Sequence, residues 1–392
     1  MKSISSIIIF LSVAVCSYGQ GSIGSVLWEI ERNSPSLKAA AAEMDAEQLA
    51  GKAESRLANP EVEFNYLWGA EDIGGRHDLR VSQSFDMSTI MGLKAGMARD
   101  VGEVAALKYQ IERQAVLLKA KQACIDLVYI NSVLDELRSH LSQSAALADS
   151  YEKRLAAGKA TILDLNKAKI HQTAIQGQIN KAEAERQALL ASLCAMNGGK
   201  EIDFRALNYD LDDSLPDDFE TWLSDVSERN PMLGKVRKQV ELEERQVRID
   251  KASALPELAV GYMSEIRTAE KFRGVTLGVN IPLWSAGNKI RQSRAKVTAA
   301  EERRNAAEQE FYYDIRNQYD RARSMKENSE MMRRSLNETD NREFLLSALS
   351  KGEISMIDYL VEIDLYFDAL SATLEAERDY RHALASINAF NL

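Results

Sequence analysis

The chain has 392 residues, with 49 Lys and Arg against 59 Asp and Glu and a formal net charge of −10. This balance excludes a nucleic-acid partner, because no basic stripe is available to displace counterions from phosphates. Six prolines and twenty glycines are few for so long a chain, which indicates long uninterrupted elements rather than several small domains.

Residues 1–19 have the organisation of a secretory signal peptide. Lys2 gives the positive start, residues 7–15 form a short apolar core, and Ser17-Tyr18-Gly19 supplies the small residues before the cleavage site. The alternative is a lipoprotein with a lipidated Cys16. We disfavour it because Val15 is larger than the small residue usual before such a cysteine.

The rest of the chain repeats itself, with matching segments 196 or 194 residues apart. The matches are Pro35 with Pro231, Pro60 with Pro256, 61–66 with 257–262, 79–85 with 275–281, and 158–164 with 352–358. Five matches in the same order predict two copies of one unit. The first repeat spans 20–200, an acidic connector spans 201–218, and the second repeat spans 219–392.

Each repeat has the pattern of a helix, a β-hairpin, a long helix, a tight turn and a return helix. The strands alternate apolar with polar or small residues, and the helices carry apolar residues at steps of three and four. This heptad seam is typical of coiled-coil packing, although an ordinary helical bundle gives the same periodicity. In the first repeat the predicted hairpin is 61–86, the long helix 88–156 and the return helix 161–196. In the second repeat the corresponding elements are 257–282, 288–350 and 355–390.

The length of the long helix favours the coiled coil. The stretch from Gly92 to Leu155 alone would measure roughly 96 Å at 1.5 Å per residue. The helix before the first hairpin (35–58) and the return helix together match that length. We therefore expect a wall of paired helices that carries one β-hairpin per repeat.

The four predicted strands are candidates for membrane-spanning segments. No stretch after the signal peptide approaches the roughly 20 apolar residues of a membrane-spanning helix, whereas strands of eight to ten residues suit a tilted membrane strand. Four strands cannot close a barrel, so two copies would give eight strands and three copies twelve, with room for a pore. A soluble four-stranded sheet packed on a helix is the alternative.

Segment 275–287 shows how such a strand would end. Val275, Leu277, Val279 and Ile281 would face lipid, whereas Thr276, Gly278 and Asn280 would line the lumen. Pro282 has no N–H to donate, so strand pairing can end there. Trp284 would lie in an aromatic girdle at the membrane boundary, and Gly287 would ease the bend into the long helix.

Several motifs together carry a resemblance to a known family. They are the duplicated unit, Asn33-Ser34-Pro35, Asn230-Pro231, Asn59-Pro60-Glu61, Val279-Asn280-Ile281-Pro282-Leu283-Trp284 with Gly287, Arg154-Leu155-Ala156-Ala157-Gly158, and 352–360. In these features essentially the whole mature chain resembles the TolC-like outer-membrane efflux proteins. Asp86-Met87-Ser88 departs from the pattern at the first strand–helix junction.

The resemblance implies a mostly α fold with a small β part. Long coiled-coil helical hairpins would form a periplasmic α-barrel, and four strands per chain would contribute to a trimeric twelve-stranded β-barrel in the outer membrane of a Gram-negative bacterium. The implied partners are two further copies of the chain, outer-membrane lipid, a periplasmic adaptor (membrane fusion protein) and an inner-membrane pump of the RND or ABC type. The acidic connector would be a solvated segment in a belt around the middle of the α-barrel.

The two tight turns carry the candidate functional residues. We expect the following residues to form the periplasmic tip and contact the adaptor: Arg154, Leu155, Gly158, Thr161, Asp164, Gly352, Ser355 and Asp358. In a trimer Asp164 and Asp358 would give six carboxylates, a ring that binds cations and sets selectivity. Both also complete a Ser/Thr-x-x-Asp capping box, which we take as their main role, after a left-handed glycine at Gly158 or Gly352.

No catalytic, metal or cofactor site is predicted. The four histidines, His77, His140, His171 and His382, have no ligand spacing to each other or to a cysteine, and no phosphate-binding loop occurs. Cys124 and Cys194 lie at similar distances from Gly158, so a disulfide is conceivable, but two free packed thiols are favoured. The methionines do not converge on one place, which disfavours copper or silver as cargo.

These observations favour a passive exit duct of an efflux or secretion complex over an enzyme. Cargo would diffuse through a water-filled lumen that opens when the helical tips splay, and partner proteins would supply the energy. The alternative is a periplasmic coiled-coil adaptor or scaffold without a pore.

Overall fold

The computed structural model describes residues 21–69, 74–209, 214–267, 270–284 and 286–392. The predicted signal peptide and Cys16 lie outside the described residues. The elements in chain order are α1 Ile23–Asn33, α2 Pro35–Glu54, β1 Glu61–Leu67, β2 Arg76–Phe85, α3 Met87–Ile90, α4 Leu93–Ala156, α5 Ile162–Met196, α6 Phe219–Arg229, α7 Pro231–Ala252, β3 Glu257–Arg267, β4 Lys271–Asn280, α8 Ala286–Glu338, α9 Arg342–Lys351, α10 Met356–Ile387 and a final 3₁₀ turn Ala389–Asn391. The predicted fold class, mostly helical with four strands, is confirmed.

Local sequence rules account for the helix ends. Asn230 caps α7 by accepting hydrogen bonds from the backbone N–H groups of Met232 (2.9 Å) and Leu233 (3.2 Å), and Pro231 occupies the first helical position. Proline suits that position because its missing N–H would have no intrahelical partner. No helix among the described residues is long and apolar enough to cross a membrane.

Both predicted long helices are interrupted. In the first repeat, Gly92 has φ = +70° and separates the short α3 from α4. In the second repeat, α8 ends at Glu338 and α9 begins at Arg342, so the prediction of one helix over 288–350 is wrong at 339–341. There the Asp340 carboxylate accepts hydrogen bonds from the Arg342 backbone N–H (3.3 Å) and guanidinium (2.8 and 3.0 Å). Such local bonds compete with the helical ladder.

The chain forms two compact units, each built from segments of both repeats. The first, the tip unit, takes the described residues of Met1–Ser34, Lys119–Asp213 and Lys326–His382. The second, the sheet unit, takes those of Pro35–Leu118, Ser214–Met325 and Ala383–Leu392.

The sheet unit contains one antiparallel sheet in the order β1-β2-β3-β4. Each predicted hairpin forms, and β2 pairs with β3 to join the hairpins of the two repeats. The register places Val81 opposite both Val62 and Tyr262, and Tyr262 opposite Val275. Directly opposed residues share a face of a sheet, so this register collects most apolar positions of the four strands on one side, whereas Leu67, Met263 and Phe272 lie on the other.

The tip unit is held together by the predicted helical seams. On α5 the buried seam residues are Leu165, Ala168, Ile175, Ile179, Ala182 and Leu193. On α4 the buried seam residues include Leu127, Ile130 and Leu134. A spacing of three and four residues puts these side chains on one stripe of each helix, which is the stripe that packing covers.

Residues 201–209 of the connector are only partly the solvated segment we expected: Glu201 and Asp203 are exposed, but one residue is buried and three carbonyls are hydrogen-bonded. Phe204 is fully buried, and its backbone carbonyl accepts a hydrogen bond from Arg186 (3.2 Å). Asn131 donates to the carbonyl of Ala206 (3.1 Å), and Ser132 to that of Leu207 (2.8 Å). One aromatic side chain and three backbone anchors therefore fasten this segment to the tip unit in spite of its acidic composition.

Candidate functional site: two tip turns and an apolar sheet face

The first tip turn joins α4 to α5. Gly158 has φ = +70°, its N–H donates to the carbonyl of Leu155 (2.9 Å), and the N–H of Lys159 donates to the carbonyl of Arg154 (2.8 Å). These two bonds define a Schellman ending, in which a left-handed glycine lets the last carbonyls of a helix find donors. The predicted left-handed glycine at position 158 is confirmed by this geometry, whereas its contact with an adaptor stays a prediction.

The second tip turn, between α9 and α10, has the same hydrogen bonds. Gly352 has φ = +78°, its N–H donates to the carbonyl of Leu349 (3.2 Å), and the N–H of Glu353 donates to that of Ala348 (2.9 Å). The two turns of the repeat are thus equivalent in backbone as well as in sequence.

Both tip carboxylates act as helix caps. Oδ2 of Asp164 accepts from the hydroxyl (2.7 Å) and the N–H (3.0 Å) of Thr161, whose Oγ1 accepts from the N–H of Asp164 (3.2 Å). Ser355 and Asp358 make the same three bonds at 2.6, 3.2 and 3.2 Å. The hydrogen bonds from the Thr161 hydroxyl and backbone lower the pKa of Asp164 below its usual range. The capping role is confirmed, and the carboxylate ring stays a prediction.

An apolar cluster supports the two turns from within the tip unit. Its buried members include Tyr151, Leu165, Tyr359 and Ile363, and Leu155 packs against it. Arg154 is exposed and places its guanidinium over the Tyr151 ring, 5.0 Å from the ring centroid. Leu155 is therefore mainly a packing residue, whereas the charge of Arg154 remains accessible.

The structure adds two apolar residues that sequence reasoning missed. Leu163 and Ile357 follow the cap residues Thr161 and Ser355 by two positions, and their side chains are 65% and 51% exposed. They are equivalent residues of the repeat, separated by 194 positions. A matched apolar residue inside each capping box was the signal that could have identified them.

One face of the sheet is mainly apolar and exposed, although His77, Gln83, Ser264 and Arg273 also lie on it. Its most exposed apolar side chains are between 38% and 80% exposed; they are Val62, Phe64, Tyr66, Leu79, Val81, Leu258, Val260, Tyr262, Val275, Leu277 and Val279. The opposite face is mainly charged, polar or small. It carries ion pairs from Arg80 to Glu63 (3.4 Å) and from Arg76 to Asp78 (2.9 Å) and Glu265 (3.2 Å).

The two strand–helix junctions differ, as the sequences indicated. In the second repeat β4 ends at Asn280, before the half-buried Pro282, and Gly287 lies in the first turn of α8 without a left-handed φ. Trp284 is 89% exposed. In the first repeat Asp86 instead caps α3 by accepting from the backbone N–H (2.8 Å) and hydroxyl (2.6 Å) of Thr89.

The two cysteines of the described chain are free, as favoured from the sequence. Cys124 is buried and Cys194 is half-buried. Burial raises the pKa of the Cys124 thiol to about 12, so this cysteine is an inert packing residue.

Comparisons with known proteins agree with this geometry. Residues 222–390 match the family described as outer membrane efflux protein, whereas no curated protein sequence matches the chain. Among solved structures, the chain is similar to the CmeC outer membrane channel of Campylobacter jejuni (13% identity, 94% of this chain and 85% of CmeC covered, TM-score 0.75). It is also similar to CusC (14%, 94% and 92%, TM-score 0.77) and to the outer membrane protein VceC from Vibrio cholerae (14%, 94% and 95%, TM-score 0.73).

These structural similarities establish the fold. The family match adds that residues 222–390, most of the second repeat, have the sequence pattern of the family. The resemblance to TolC-like proteins is therefore confirmed: the chain has the fold of the solved outer membrane channels, and residues 222–390 match the outer membrane efflux protein family.

Proposed function

We propose that three copies of this chain form the outer-membrane exit duct of an efflux or secretion complex. The observation that carries the proposal is the exposed apolar face of the four-stranded sheet. So many large apolar side chains on one face need an apolar solvent or partner, because large exposed apolar patches are unfavourable in water.

The sheet edges set the number of copies. Within the described residues, β1 and β4 each pair with only one neighbour, so their outer backbone groups need partners in a membrane. Three copies supply twelve strands, enough to enclose an aqueous lumen, whereas two would give a barrel filled by its own side chains. The charged and small residues of the opposite face would then line the lumen.

The tip turns would dock a periplasmic adaptor, which in turn recruits an RND-type or ABC-type inner-membrane pump. The support for docking is chemical. Each repeat presents an exposed apolar side chain (Leu163 or Ile357) beside a rigidly capped helix start, and Arg154 adds an accessible charge. A rigid turn with an apolar anchor loses little conformational entropy on binding. Splaying of the tips would open the duct, and the partners would supply the energy.

Fractionation followed by conductance tests the duct. We expect the mature protein to require detergent for extraction from the outer-membrane fraction, to run as a trimer, and to give stepwise currents in a planar lipid bilayer. A monomer in the soluble periplasmic fraction would instead support the alternative, a coiled-coil adaptor or scaffold without a pore. A detergent-extracted trimer that gives no current, even with destabilised tips, would also contradict the duct.

Docking is tested separately by crosslinking. A photoreactive amino acid at Leu163 or Ile357 should capture an adaptor in cells, whereas the same probe at the exposed Lys181 on α5 should not. Equal capture at all three positions would argue against docking through the tip turns.

A further inference from the structure

Two histidines and one aspartate, on three different helices of the tip unit, converge within the fold. His140 lies on α4, His171 on α5 and Asp364 on α10. One potential ligand atom from each residue lies within 4.8 Å of the other two. No sequence signal indicated this cluster, because its members are far apart along the chain and none shares a helix with another.

Hydrogen bonding accounts for only part of the cluster. His171 Nε2 lies 2.9 Å from Oδ1 of Asp364, and its Nδ1 lies 3.1 Å from the Ser144 hydroxyl. His140 is 4% exposed, and its Nε2 has no hydrogen-bond partner among the described residues. A buried polar atom without a partner is unusual in a native structure, and a bound ion is one explanation for it.

The ring of His140 is held in place by packing. It stacks on Phe367 with the ring centroids 3.7 Å apart and the planes at 11°, and it meets the His171 ring edge-on at 5.1 Å. Burial, with a smaller effect from His171, lowers the pKa of His140 to about 4. The ring is therefore neutral at neutral pH, which is the form that binds a metal.

We propose that His140, His171 and Asp364 form a binding site for a divalent transition-metal ion of the Zn²⁺ class. Two imidazoles and one carboxylate suit such an ion, and a water molecule would complete its coordination. In a tetrahedral site with metal–nitrogen distances of about 2.0–2.1 Å, the ligand atoms lie roughly 3.3 Å apart. Modest side-chain rotations would bring the three groups to that spacing.

The surroundings provide an outer hydrogen bond and an access route. Ser144 can accept a hydrogen bond from Nδ1–H of His171, which leaves the lone pair of Nε2 for the ion; metal-binding histidines usually have such a partner. The side chain of Asp364 is 53% exposed, so an ion can enter from its side. A bound ion would link helices of both repeats and stabilise the tip unit against unfolding.

Zinc titration of the full, untagged protein in detergent tests the proposal, after dialysis against a chelator. Isothermal titration calorimetry should show one Zn²⁺ per chain, with no binding of Mg²⁺, which prefers oxygen ligands. His171→Gln and Asp364→Asn should each weaken binding at least tenfold. Ser144→Ala should weaken it by about 10- to 100-fold, the range found for outer partners of metal ligands.

His382→Gln is the matched control. His382 also lies against a carboxylate, with its Nε2 2.7 Å from Oδ1 of Asp126, but it is not part of a three-ligand cluster among the described residues. This variant should bind zinc like the wild type. The absence of saturable binding to the wild type, or equal losses in His382→Gln and Asp364→Asn, would overturn the proposal.

A second measurement guards against misfolded variants. Cobalt(II) in a site with two imidazoles gives visible absorption bands that report its coordination directly. The bands should appear in the wild type and His382→Gln and be absent from Asp364→Asn, which changes an exposed carboxylate and should leave the circular dichroism spectrum unchanged. Zinc should raise the Tm of the wild type and of His382→Gln only. Bands of equal intensity in Asp364→Asn would contradict the assignment of this ligand.

Discussion

The tip unit and the sheet unit place their large apolar residues in opposite ways. In the tip unit Ile363, Leu165 and Tyr359 are buried between helices. In the sheet unit Leu277 and Val275 are about as exposed as side chains on a strand can be, at 80% and 73%. The helices of the tip unit therefore find their apolar partners within the chain, whereas the described residues leave the sheet face uncovered.

The comparison implies that the same kind of substitution has different effects in the two regions. In the tip unit, stability depends on the volume that fills a packed cluster. On the sheet face, there is no packed neighbour to lose, and stability depends on whether the surrounding medium tolerates the new side chain. Substitutions in the two regions should therefore differ in how much they lower the free energy of unfolding.

Ile363→Ala should have the largest effect. The Ile363 side chain is 1% exposed inside the cluster beneath the tip turns, so truncation leaves a cavity and should cost about 2–5 kcal/mol. Urea unfolding followed by far-ultraviolet circular dichroism gives this free energy. Glu362→Ala, at the exposed neighbouring position, should change it by less than about 0.5 kcal/mol. A loss for Ile363→Ala no larger than that of Glu362→Ala would mean that the cluster does not stabilise the unit.

Leu277→Arg tests the sheet face in a membrane. If this face contacts lipid, a buried Arg should cost about 2–4 kcal/mol of folding free energy in lipid vesicles. Gly278→Arg, on the adjacent residue of the opposite face, places the same charge toward the proposed lumen and should cost less. Measured unfolding free energies that fall equally in the two variants would show that the faces do not meet different solvents.

The sequence predicted those parts of the structure that local rules determine. The left-handed glycines at 158 and 352 and the two capping boxes each depend on residues within one turn of a helix. The face of each strand on which the apolar residues lie followed as well, because strand side chains alternate with a period of two.

Features that depend on contacts between distant segments were not predicted. Burial of Phe204 depends on packing against helices elsewhere in the chain, and its acidic neighbours gave the opposite indication. The pairing of His171 with Asp364 joins residues 193 positions apart. The helix interruption at 339–341 was missed for a different reason: it is local, but helix propensity alone does not decide whether Asp340 bonds to its neighbour Arg342 or the helix continues.

Removing the caps should have an intermediate effect. Thr161→Ala and Ser355→Ala each remove a hydroxyl that accepts a backbone N–H at the start of a return helix, so each should cost about 0.5–2 kcal/mol. Because the two turns have the same hydrogen bonds, the two losses should agree closely. Urea unfolding of the single variants checks this. A clear inequality would show that the turns are equivalent in geometry but not in energy.

Asp164→Asn should have the smallest effect on stability, and it separates capping from ion selection. The folded-state pKa of Asp164 lies below its ordinary value of 3.8, so the unfolded chain binds more protons near that pH. The carboxylate therefore stabilises the fold above about pH 4, and this contribution is lost as the pH falls through the folded-state pKa. In the wild type the Tm should fall slightly more on acidification than in Asp164→Asn.

Conductance measurements distinguish capping from ion selection as the main role of Asp164 and Asp358. If capping is their main role, the double variant Asp164→Asn with Asp358→Asn should keep the cation-to-anion permeability ratio of the wild type in a planar bilayer while losing a little stability. A ring of six carboxylates at the mouth would instead make the ratio depend strongly on these charges. Oδ2 of each aspartate already accepts two hydrogen bonds from its cap residue. These bonds account for both carboxylates without a role in ion selection, and a large shift in the ratio would contradict capping as their main role.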